Sequence, residues 1–130
     1  MDSRSKILSP AGALEVVLPL RAAGRSLAVV TGYFDPVLAE HARRLRTAKG
    51  DAHLLMAVIT SPDQPILPAR ARAELVAALA VVDYVVLPEK EELDDFLRQF
   101  DAARIERQES DHQRLTLDLT EHVRSRQHAR

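Results

Sequence analysis

Short apolar runs alternate along the chain with stretches whose apolar residues recur every three or four positions. The first periodic stretch, Ala11 to Ala23, follows Ser9-Pro10, a capping residue ahead of a proline in the first helical position, and Gly24 stops it. It turns Leu14, Val17, Leu18 and Ala22 to one side, and Pro19 inside it predicts a kink or an early end. Ser26 to Val30, with the run Leu27-Ala28-Val29-Val30, reads as a buried parallel strand. Thr31-Gly32 ends that run. Asp35-Pro36 repeats the design of Ser9-Pro10, so a helix is expected there, with Val37, Leu38, His41, Leu45 and Ala48 on its inner stripe and Gly50-Asp51 at its end.

His53 to Thr60 is apolar almost throughout, as a central strand covered on both faces should be. Ser61 to Pro68 holds three prolines and no period, and reads as a loop. A helix over 69–81 turns Leu75, Val76 and Leu79 inward, a strand follows over 83–87, and a helix over 89–100 buries Leu93, Phe96, Leu97 and Phe100. Ala103 to Arg107 is a short, more polar strand suited to a sheet edge. Residues 108–115 read as a polar connection, Leu117 to Gln127 as a last helix through Leu119 and Val123, and Ser125 to Arg130 as a fraying tail. This alternation predicts an α/β fold of three layers around a parallel sheet of about four to five strands.

Composition narrows the picture. A chain of 130 residues suits one domain spanning 1–130, and 46% apolar against only 4% aromatic residues makes its core aliphatic. A formal net charge of -1 gives no bulk attraction to nucleic acid or membrane. Without cysteine there are no disulfides or thiolate metal sites, and a cytoplasmic location is expected. No leader-like apolar region follows Met1-Asp2-Ser3-Arg4, and no window is long enough to span a membrane. His112, His122 and Asp111 or Asp118 match no zinc spacing, so no metal site is expected. The basic stripe His41, Arg43, Arg44, Arg46 and Lys49 has no aromatic platform beside it, so nucleic acid is not expected as a partner.

Chemistry concentrates after the first long strand. A strand feeding Gly32 and then a helix start presents free backbone N–H groups to an anion, and a glycine lets the ligand reach bare backbone. Arg70 and Arg72 sit in a first helical turn, where they oppose the macrodipole, a local mismatch that suits a functional position or a merely solvated pair of arginines alike. The stretch Gly32-Tyr33-Phe34-Asp35-Pro36-Val37-Leu38-Ala39-Glu40-His41 resembles the signature G-x-F-D-x-x-H-x-G-H of the cytidylyltransferase-like nucleotidyltransferases. Gly32, Phe34, Asp35 and His41 match it; Leu38 and Glu40 replace its first histidine and its second glycine. Over roughly residues 6 to 100 the chain is similar to the domain that activates heptose phosphate to a nucleotide-diphosphate sugar.

That resemblance implies a Rossmann-like nucleotidyltransferase fold, shortened at the C-terminus, and a reaction moving AMP or CMP from ATP or CTP, with Mg, to a phosphorylated acceptor. It implies His41 as the catalytic donor, and nucleotide or phosphate contacts from Thr31, Gly32, Tyr33, Phe34, Asp35, Lys49 and Arg72. Thr116 and Thr120 are candidates for the family's C-terminal threonine motif. A homodimer is a further implication, and no tightly bound cofactor is expected. Leu38 cannot donate, and removing one transition-state donor costs about 100- to 1000-fold in rate. Glu40 adds an opposing charge. The expectation is a catalytically impaired module that binds a nucleotide, a phosphate or a protein; the alternative is an active nucleotidyltransferase.

Overall fold

A computed structural model describes residues 2–100 and 104–128. Its sheet has five strands, β1 (Ile7–Leu8), β2 (Leu27–Gly32), β3 (Leu54–Ile59), β4 (Tyr84–Val86) and β5 (Arg104–Arg107). They lie side by side in the order β1-β4-β3-β2-β5, with every pairing parallel. Side chains of a strand point alternately to its two faces, and here both faces are covered. Ala28 and Val30 of β2 with Leu55, Ala57 and Ile59 of β3 meet Leu45, Ala48, Ala73, Val76 and Ala77 from the helices α2 (Ala39–Lys49) and α3 (Ala69–Ala77). Leu27, Val29, Leu54, Met56 and Val58 face the other way, toward Ala13 and Val17 of α1 (Pro10–Ala22) and Phe96 and Leu97 of α4 (Leu93–Arg98). The three-layer α/β architecture follows from these two continuous runs.

Several boundaries differ from the sequence expectation. β1 was not expected; two residues are too few to show a period. α1 continues past Pro19 to Ala22, so the proline does not end it. Leu18 is 40% exposed and Leu75 47% exposed, so neither belongs to the core, which α1 reaches through Ala13 and Val17 and α3 through Ala73, Val76 and Ala77. A 3-10 turn at Lys90–Glu92 opens the segment expected as one helix over 89–100. Arg104–Arg107 forms the expected edge strand beside β2; Ala103 lies outside the described residues.

Two differences bear on function. The helix expected to start at Asp35-Pro36 starts at Ala39, with Leu38 in the capping position. Asp35 is drawn elsewhere, and the Asp35-Pro36 peptide is cis. The segment 108–115 is not a connection. From Glu109 on it belongs to α5 (Glu109–His128), which follows β5 after the single residue Gln108 and lies against β2. Its inward residues there, Gln108 and His112, are polar and buried, so no apolar period marks them.

Candidate functional site

β2 ends at Gly32 with Thr31 wholly buried. Phe34 follows in the left-handed region at φ 50, unusual for a residue with a side chain. This turn aims the consecutive N–H groups of Tyr33 and Phe34 at one point, the geometry of an anion-binding nest. The point is filled by His112 of α5. Its Nδ1 accepts from Tyr33 N–H at 3.0 Å and Phe34 N–H at 3.2 Å. Nε2 therefore carries the ring hydrogen and donates to Gln108 Oε1 at 3.0 Å. Gly32 makes the approach possible: a Cβ there would stand 2.2 Å from His112 Cε1. The bare backbone expected to receive a ligand receives this imidazole.

The neighbouring donors are satisfied in the same manner. The Glu109 carboxylate accepts from Thr31 Oγ1 at 2.8 Å and Thr60 Oγ1 at 2.9 Å. The Asp35 carboxylate accepts from the Ile66 and Leu67 amides at 2.6 and 2.8 Å, pinning the loop before α3. Beneath the turn lies Arg72, 1% exposed. Its guanidinium donates to Leu67 O, Tyr33 O, Thr60 O and Ser61 Oγ, tying the loops after β2 and β3 together. Burial lowers its pKa against the opposing pull of Asp35. Arg72 thus stands behind the turn rather than in front of it, and what it gives the site is rigidity and positive potential.

His41 is fully buried. Its Nδ1 accepts from Leu38 N–H at 2.8 Å, which caps α2, while Nε2 has no partner among the described residues. Its ring meets His112 edge-on with centroids 4.4 Å apart, and Phe34 packs against both. Desolvation lowers the pKa of each histidine; for His41 the charge of Arg44 adds to it, against the Leu38 hydrogen bond and Glu40. For His112, with His41 and Arg44 acting in the same sense, the value falls to about 3. Two neutral imidazoles therefore share the interior at pH 7.

Of the residues expected at the site, Thr31, Gly32, Tyr33, Phe34, Asp35, His41, Arg72 and Thr116 come together around this turn. Thr116 Oγ1 donates to Asp35 O at 2.8 Å. Thr120 lies one turn further along α5 and bonds back to Thr116 O. Lys49 is not brought in: it pairs with Asp83 at 3.2 Å, whose carboxylate also accepts Leu55 N–H at the start of β3, the opposite end of the sheet. His122 is exposed while His112 is buried, so these two do not converge on a metal. Sequence reasoning missed Glu109, Gln108 and His112 in this role. Beside the turn a cavity of about 530 Å³ is walled by Tyr33 and Asp35, by Pro62, Asp63 and Gln64, and by Gln113, Thr116 and Leu117 of α5.

A parallel sheet whose second strand runs into a nest of amides at its C-terminal end has the layout of a nucleotide-handling Rossmann-like domain. The comparisons carry that further: the chain resembles a cytidylyltransferase-like nucleotidyltransferase domain. It is 32% identical over 99 residues to the bifunctional protein HldE of Trichlorobacter lovleyi, covering 69% of this chain and 20% of that protein. It is 32% identical over 93 residues to the bifunctional protein HldE of Coxiella burnetii, covering 65% of this chain and 20% of that protein. The matched region spans about a fifth of the length of these relatives. No protein-family model matches the chain. Among the described residues no helix is long and apolar enough to cross a membrane.

Proposed function

We propose that this chain is a catalytically impaired nucleotidyltransferase-like module, whose remaining role is to bind a nucleotide or sugar phosphate rather than to transfer a nucleotidyl group. The observation that supports the impairment is the His112 imidazole on the Tyr33 and Phe34 amides. Transfer at phosphorus depends on donors preset where charge gathers on the phosphoryl oxygens. The donors of this turn are satisfied by the protein's own acceptors. Leu38 supplies an aliphatic side chain where the signature has a histidine, and the one nitrogen of His41 left over is buried.

The resemblance to a heptose-phosphate nucleotidyltransferase domain makes an ATP-type nucleotide the first ligand to try, with CTP beside it. The test is pyrophosphate release from Mg-ATP or Mg-CTP with heptose 1-phosphate as acceptor. No release above the uncatalysed rate is expected; sustained turnover abolished by His41→Ala would overturn the proposal. A thermal-shift series with the same nucleotides and sugar phosphates reads binding separately, since a ligand at 100 times its Kd adds roughly 2.7 kcal/mol.

A further inference from the structure

The start of α5 is fastened to the turn by a dense set of contacts. Besides the His112 and Glu109 bonds, Gln108 N–H donates to Thr31 O at 2.8 Å, continuing the β2–β5 pairing. Asp111 pairs with Arg44 of α2 at 2.9 Å, and Thr116 reaches Asp35 O. Beyond this the attachment stops, and residues 121–126 are all exposed. The fastened part carries two carboxylates, while the charge directly behind the turn is the Arg72 guanidinium. An acidic segment thus sits on a nest of N–H and O–H donors backed by a buried cation.

We infer that residues 108–116 act as an intramolecular ligand: Glu109 and His112 occupy a latent oxyanion site, and a phosphate-bearing ligand and the docked start of α5 exclude one another. The Glu109 carboxylate takes two hydroxyl hydrogens, and His112 takes two amide hydrogens, each as one oxygen of a phosphoryl group would. Neither set can serve two acceptors at once. The cavity beside the turn shares Tyr33 with it, and α5 forms one of its walls. A molecule with a pyrophosphate group lodged there reaches the nest only by moving that wall. The helix is a gate, and its resting position is closed. This inference rests on the binding role proposed above; turnover would defeat the claim of impairment while leaving the exclusion between α5 and anion to be read directly.

The experiment uses the full chain and inorganic pyrophosphate. Titration calorimetry compares the wild type with Glu109→Gln, which keeps an acceptor for one threonine and turns a donor to the other while removing the competing charge, and with His112→Ala, which empties the nest. Each variant is expected to bind pyrophosphate at least tenfold more tightly than the wild type. Folded variants with unchanged affinity overturn the inference. Should either variant fail to fold, amide exchange on the wild type decides instead. At 10 mM pyrophosphate, loss of protection across 108–116 together with retained protection at Tyr33 and Phe34 supports displacement; protection of 108–116 that stays unchanged overturns it.

Discussion

The buried imidazole of His112 makes a quantitative demand on acid stability. Its pKa drops from an ordinary 6.5 to about 3, chiefly because burial disfavours the charged ring, with His41 and Arg44 acting in the same direction. Well above pH 6.5 the ring is neutral in folded and unfolded chains alike, and it contributes no slope. Between pH 6.5 and about 3 the unfolded chain takes a proton that the folded chain refuses. The unfolded state then binds more protons, so unfolding free energy falls with pH by about 1.4 kcal/mol per unit. From pH 6.5 to 4.5 the loss is about 2 kcal/mol. His41, shifted in the same direction, adds to it. Protonation also places a hydrogen on Nδ1 against two amide donors, so the folded state has no means of accepting the proton in place. Urea unfolding followed by circular dichroism at the two pH values measures the loss. His112→Gln is the control, since its carboxamide oxygen can accept from the amides and does not titrate. The wild type should lose about 2 kcal/mol more than this variant over that interval. Parallel losses in the two proteins would refute the account of a neutral, internally bonded His112.

Three further outcomes follow from the same geometry. Gly32→Ala puts a Cβ 2.2 Å from His112 Cε1 and 2.5 Å from its Nδ1, and should destabilise the chain by about 1–3 kcal/mol in urea titration. Asp35→Ala leaves the Ile66 and Leu67 amides without their carboxylate, at a cost of about 2–4 kcal/mol, and amide exchange should speed up at those two positions first. Leu38→His with Glu40→Gly rebuilds the signature but leaves His112 on the nest, so ATP affinity should stay unchanged. Adding His112→Ala to that pair should tighten ATP binding by about tenfold, or about 1.4 kcal/mol, by calorimetry.

How legible was this molecule in its sequence? Where burial is apolar on both faces the residues themselves declare it: Leu27 to Val30 and Leu54 to Ile59 could only be central strands, and the layers follow from them. Asp35-Pro36 misled for a physical reason. An aspartate ahead of a proline offers a capping carboxylate, but the same carboxylate can serve any pair of free amides, and here the loop at Ile66 and Leu67 claims it. Lys49 was expected near the phosphates from its place along α2; that helix runs back beside the sheet, so its last residue ends at the opposite end of the strands, with Asp83. The receiving half of the site, Thr31 to Phe34, was readable from the strand, the glycine and the signature. Its occupant was not. The part that meets the turn consists of buried Gln108 and His112 and half-buried Glu109, and a search for apolar periodicity passes over polar side chains held by hydrogen bonds.

The contacts that close the turn join positions far apart in the chain: His112 to Tyr33 across 79 residues, and Glu109 to Thr31 across 78. A nascent chain emerging from the ribosome therefore has β2, β3 and β4 in hand well before the segment that covers the nest exists. The turn is thus closed by contacts of long sequence separation, the kind that form late in folding because a large loop must close first.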